Sequence, residues 1–154
     1  MSTPILTIEE RRAAVLARRA ALEAELATAY AEQEVADLEA TADLEAEYGT
    51  GRIVRVAIRC WKPGVGAATC LVARVPEKRE SFFRRFEQQL VKSKPESTAR
   101  LDAMTTLAEA CIVYPQRGGE MYNATVELAD GVLSNIAKQI TDLVQGKAEA
   151  EGKD

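Results

Sequence analysis

The pattern of apolar and polar positions is helical at both ends of the chain and alternating in a short stretch between them. Thr7-Ile8-Glu9-Glu10 reads as a capping box, and the Ala, Glu, Leu and Arg tract behind it predicts one helix from Ile8 to Tyr48. Gly49-Thr50-Gly51 ends it. At about 1.5 Å per residue that helix extends roughly 60 Å, more than a small domain is wide, so it projects or pairs. Its seam of Ile8, Val15, Leu22, Leu26 and Ala29 fades into Gln33, Ala36, Ala40 and Asp43. A solvated Ala-rich helix with an apolar stripe in its first half fits this pattern, and so does a coiled coil that depends on a partner.

Residues 52–61 alternate, with Val54, Val56, Ile58 and Cys60 on one face and Arg55 and Arg59 on the other, which predicts a strand covered on one side. Lys62-Pro63-Gly64-Val65-Gly66 is a turn signal, and residues 67–75 read as the returning strand of a hairpin. If that hairpin is centred on Val65, Cys60 faces Cys70 closely enough to be bridged under oxidising conditions. Two strands alone are marginal, so the hairpin packs on helices or gains a partner's strand.

Helix returns after Pro76, with Phe82, Phe83, Phe86 and Leu90 as its apolar stripe. Ser93-Lys94-Pro95-Glu96 reads as a second capping box, opening a helix whose Leu101, Met104, Ala108, Cys111 and Ile112 share one face before Tyr114-Pro115. A loop over Gln116-Arg117-Gly118-Gly119 precedes a helix around Met121, Tyr122, Val126 and Leu128. Asp130 then caps a last helix striped by Val132, Leu133, Ile136, Ile140, Leu143 and Val144 and ending at Gly146. The expected architecture is α+β and mostly α: a helical arm over 1–48, a hairpin plus a compact bundle of about four helices over 49–146, and a charged, frayed tail over 147–154.

The 154 residues carry a net charge of −4, distributed very unevenly: −7 over 1–48, +8 over 49–100 and −5 over 101–154. A basic middle of this kind meets an acidic surface on the chain's own ends, on another copy or on a different partner. The chain has no histidine, which removes Ser-His and Cys-His catalysis, His-ligated metals and the usual general base near neutral pH. Three cysteines without a C-x-x-C pair write neither a zinc cluster nor a disulfide scaffold. Gly64-Val65-Gly66 and Gly118-Gly119 lack phosphate-loop spacing, so no cofactor or metal is expected and turn geometry accounts for them. The acidic residues from Glu23 to Glu47 surround a helix without a pocket and read as a solvated face. No apolar run reaches membrane-spanning length, and Met1-Ser2-Thr3-Pro4 lacks the layout of a secretion signal, so a cytoplasmic protein is expected.

Arg52, Arg55, Arg59 and Lys62 beside Trp61 form a basic strand with one aromatic, a weak platform for single-stranded nucleic acid that the overall negative charge argues against. Arg52, Arg55, Arg59 and Trp61, together with Tyr114, Pro115 and Arg117, are the candidate partner contacts. Phe82, Phe83, Phe86, Leu90, Ile136 and Ile140 are assigned to the core.

The string from Val72 to Phe86, with Arg74, Pro76, Phe82, Phe83 and Phe86, resembles the opening of small tail assembly chaperones of long-tailed bacteriophages. Leu107-Ala-Glu-Ala-Cys111-Ile-Val-Tyr114-Pro115 is similar to the Leu-x-x-x-Cys-x-x-Tyr-Pro close of the next helix in that family, and the amphipathic stretch from Gly131 to Leu143 resembles its last helix. The resemblance spans roughly residues 52–146 and leaves out the long N-terminal helix. It implies a non-catalytic protein of the infected host's cytoplasm that binds the tape-measure protein during tail assembly. A structural or adaptor subunit of a phage particle, with the long helix packed on neighbours or on a second copy through residues 8–48, is the alternative.

Overall fold

A computed structural model describes residues 5–152, with side-chain surroundings for residues 5–146. It is an α+β fold, mostly helical. Helix α1 (Ile8–Tyr48) leads to strands β1 (Ile53–Ala57) and β2 (Cys70–Arg74), helices α2 (Ser81–Lys92) and α3 (Thr98–Cys111), strand β3 (Ile112–Tyr114), and helices α4 (Glu120–Glu127) and α5 (Val132–Gly152). The strands form one antiparallel sheet in the order β1-β2-β3.

The capping box of α1 forms as its residues predict: Thr7 Oγ1 accepts from the Glu10 amide, and the Glu10 carboxylate accepts from the Thr7 amide. Gly49 ends the helix at φ 102°, a conformation that costs glycine little and other residues much.

One face of the sheet carries Val54, Ile58, Leu71, Ala73 and Ile112 into the main core, where Phe83, Phe86, Leu107, Ile136 and Ile140 close around them. Phe82 and Leu90 lie half-buried at the edge of that core. The opposite face carries the row Arg55, Val72, Tyr114, which the pairing register places side by side across the three strands. The second half of α1 packs on this face, so the molecule has three layers and the sheet is covered on both sides. The alternation predicts a strand covered on one side only, yet β1 is covered on both. Arg55 lies under α1, because the helix folds back over the sheet and brings Tyr30, Gln33, Asp37 and Thr41 down on it, while Arg59, past the end of β1, is exposed.

Several local expectations change. Ile53 pairs with Arg74 and Ala57 with Cys70, which puts the hairpin centre between Pro63 and Gly64. Cys60 is therefore exposed beyond the end of β1 and does not face Cys70, which is buried. The connection between the strands is long and asymmetric because Trp61 anchors it, its Nε1 donating to the Ala67 carbonyl at 3.0 Å. Thiol labelling checks this directly: Cys60 reacts at once in the native protein, and Cys70 and Cys111 react only on unfolding. Burial also raises both inner thiols, Cys111 to about 11, so little thiolate is present there at neutral pH.

The residues Ile112-Val113-Tyr114 were read as the end of a helix, yet they form the third strand. β-branched side chains at that point favour extended backbone, and the open edge of β2 supplies the ladder partners. Ser93 does not open a helix; its hydroxyl donates to the Gln89 carbonyl at the end of α2, and Ser97 caps α3 by accepting from the Arg100 amide. Pro76 likewise precedes a loop, and α2 begins five residues later at Ser81. With α3 starting at Thr98, its buried face is Ala103, Leu107, Ala108 and Cys111, while Leu101 is exposed. Asp130 stands exposed before Gly131, which takes φ 75°, and α5 starts at Val132. Gly146 does not end that helix, which continues to Gly152. The side chains of the expected tail over 147–154 lie outside the described residues.

Candidate interaction surfaces

The most tightly built polar group in the molecule joins the long helix to the sheet. Asp37 is fully buried, and its carboxylate receives four donors. Gln33 Nε2, one turn back on α1, donates to Oδ1 at 2.9 Å, and the Tyr114 hydroxyl donates to the same oxygen. The backbone N–H of Thr69 donates to Oδ2 at 2.6 Å, joined by the Thr69 hydroxyl. A carboxylate can accept about four such bonds, so the group is saturated and its burial is compensated. Among the described residues no lysine or arginine forms an ion pair with Asp37. Burial and the bond to Asp37 push the Tyr114 phenol well above its ordinary range, so the hydroxyl stays a donor at any physiological pH.

This clamp sorts the candidate partner contacts. Tyr114 is committed to Asp37, and Pro115 is buried beside it. Trp61 packs edge-on against Tyr30 of α1 at 5.5 Å and caps the loop that holds Thr69. Arg55 lies between sheet and helix with its Nε buried and without a hydrogen-bond partner. Arg52 donates to the Val75 carbonyl and lies 3.8 Å from Glu77. Only Arg59 and Arg117 of the seven are exposed, and they sit on different loops, so the set does not form one contact patch. Sequence reasoning drew these residues from two separate stretches, 52–61 and 114–117, and missed Asp37, which looked like one acidic residue among many on α1. The nearest signal was its phase: it shares one side of the helix with Tyr30, Gln33, Thr41 and Leu44.

A second constellation ties the end of β2 to the start of α2. The Arg74 guanidinium forks onto the Glu80 carboxylate at 3.1 and 3.2 Å, and lies 5.7 Å from the centre of the Phe82 ring. Glu80 also accepts from the Glu77 amide at 2.7 Å. Burial alone would raise the Glu80 carboxyl, but the Arg74 and Glu77 bonds outweigh it and hold the group below its ordinary range. A depressed carboxyl contributes stability that is present above its unfolded value near 4.5 and lost as pH falls through the folded value. Acid titration of thermal stability should therefore lose a component below about pH 4.5 that Glu80→Gln no longer shows.

The basic middle is neutralised from within only in part. Arg52, Arg74 and Arg79 pair with Glu77 and Glu80, and no described residue of the acidic half of α1 forms an ion pair with the middle. The acidic residues Glu32, Glu39, Asp43, Glu45 and Glu47 remain exposed, as do Arg84, Arg85, Lys92 and Lys94 on and after α2.

The first half of α1 is buried against nothing among the described residues. From Ile8 to Thr28 every residue is exposed, including Ile8, Val15, Leu16, Leu22 and Leu26, whose exposures run from 70% down to 46%. This is a contiguous apolar stripe of a kind that marks an interaction surface. Among the described residues no helix is long and apolar enough to cross a membrane. No family model matches the chain, and neither a curated protein nor a solved structure does.

Proposed function

We propose that the chain is a non-catalytic binding protein of bacteriophage tail morphogenesis, an assembly chaperone that holds the tape-measure protein in the host cytoplasm while the tail is built. The observation that carries the reading is the projecting first half of α1, an apolar stripe held out from a folded body and left without a partner in its own chain. A long helical client with apolar stripes of its own suits such a surface, in the helix-to-helix manner of amphipathic recognition. The resemblance over residues 52–146 points the same way, and two of its strings are structurally coherent: Arg74, Glu80 and Phe82 form one joint, and Tyr114 serves the clamp.

The alternative is a permanent structural or adaptor subunit of the particle. The rigid docking of α1 through Asp37 favours it, since a fixed arm suits a fixed neighbour. Co-expression with a tape-measure protein separates these readings from each other and from nucleic-acid binding. A chaperone keeps that protein soluble, loses the effect on Leu22→Glu, and is absent from finished particles by mass spectrometry. A structural subunit remains in the particle at fixed copy number. Binding of single-stranded nucleic acid that falls steeply with salt, with no effect on the tape-measure protein, overturns both.

A further inference from the structure

The stripe and the docked face of α1 lie on nearly the same side of one helix. At about 100° per residue, the stripe of Ile8, Val15, Leu22, Leu26 and Ala29 and the docked set from Tyr30 to Leu44 are centred only about 45° apart. The helix therefore overhangs its own body, with the apolar side turned toward the space in front of the sheet and its loops. We propose that a second copy of this chain fills that space, its α1 running antiparallel to the first.

The body decides the direction. In a parallel pair the second helix, continuing past its own residue 29, would run into the sheet that covers this side of the first helix from Tyr30 onward. In an antiparallel pair the second helix ends where the first body begins, and its body lies beyond the first helix's tip. Setting Leu26 against Ile8 of the second copy puts Leu22 against its Arg12 and Val15 against its Arg19. The arginine stems lie along the apolar surface with their charged ends outward.

Charge supports the same arrangement. The projecting segment from Ile8 to Thr28 holds four arginines and four glutamates and is neutral, whereas the rest of α1 is acidic throughout. In the antiparallel register Arg11 of one copy comes opposite Glu25 of the other, twice by symmetry, and Arg12 lies beside Glu23, which it shares with Arg19 of that copy. Arg18 meets its own mate near the axis, the like-charge contact that limits affinity; Arg19 is already held by its own Glu23 at 3.0 Å. A strongly acidic or basic partner would find no such match on this segment.

The test is the molar mass of the full chain by light scattering over a concentration series, joined to a distance measurement. The chain should reach dimer mass at about 100 µM, and Leu22→Glu should weaken the dimer roughly a hundredfold while leaving the melting temperature of the body unchanged. Nitroxide labels on Ala27→Cys in a Cys60→Ser background should lie about 30 Å apart along the helix axis, the span of 20 residues, in the antiparallel dimer. Labels closer than about 20 Å mean a parallel pair and overturn the proposal. A monomer throughout, or a dimer that Leu22→Glu leaves intact, overturns it equally; mass and label distance are read without a tape-measure protein, so failure of the dimer is told apart from failure of the client reading, in which the client takes the same stripe in place of the second copy.

Discussion

Replacing Asp37 with alanine should lower the unfolding free energy by about 3–5 kcal/mol, because a buried charge-assisted network loses its only acceptor. The Thr69 N–H, the Thr69 hydroxyl and the Tyr114 hydroxyl then lose their shared acceptor, and Thr69 is fully buried. For a chain of this size the shift corresponds to roughly 10 °C in melting temperature. The loss should be localised as well as large: hydrogen exchange should rise first in the second half of α1, between Tyr30 and Leu44, and at Thr69. Asp37→Asn keeps the volume but turns an amide NH2 toward donors, so it too should destabilise, by less. Tyr114→Phe removes one of four donors and should cost about 1 kcal/mol. An Asp37→Ala protein that melts within a degree or two of the parent would mean that α1 is held by packing alone.

The second large effect lies on the other side of the sheet. Phe83 is 1% exposed and meets Phe86 at 5.9 Å between ring centres, so truncation to alanine empties a volume inside the main core, where α2 packs on α3. Chemical denaturation should show a loss of about 3–5 kcal/mol for Phe83→Ala, with Phe86→Ala close behind. Phe82→Ala should cost clearly less, since that ring is half-buried and its partner is the Arg74 guanidinium. If the three substitutions cost the same, the stripe is not oriented as described. If Phe86→Ala spared stability and abolished client binding, the phenylalanines would belong to a binding groove.

These two sites differ in how far the chain announces them. The phenylalanine spacing of one, three and four residues dictates a buried helical face whatever the neighbours are, because side chains three and four apart share a side. The stripe Ile136, Ile140 and Val144 on α5 is legible for the same reason. Asp37 is not legible, because its burial depends on a sheet that arrives from residues 69 and 114, 32 and 77 positions later in the chain. Local pattern treats an aspartate between alanine and leucine on a charged helix as solvated, and only the long-range approach of three donors reverses that. The Cys60 and Cys70 pairing failed on a similar ground. Symmetry of a turn sequence sets a hairpin centre only when nothing else holds the loop, and here Trp61 is drawn to Tyr30 and Ala67.

By itself, the amino-acid sequence determined the long helix with both its ends, the presence of a hairpin, the helical remainder and the apolar faces of α2 and α5. Those are properties of capping residues, glycines at positive φ and periodicity within about a dozen residues, where the physics is local. Tertiary structure alone decided the third strand, the register of the hairpin, the placing of Arg55 under α1, and the docking of the acidic half of α1 on the sheet. Each of these depends on which surfaces meet across the whole chain. The polar half of α1 docks because a saturated carboxylate offsets its own burial, and the apolar half is left projecting because its own body ends before reaching it.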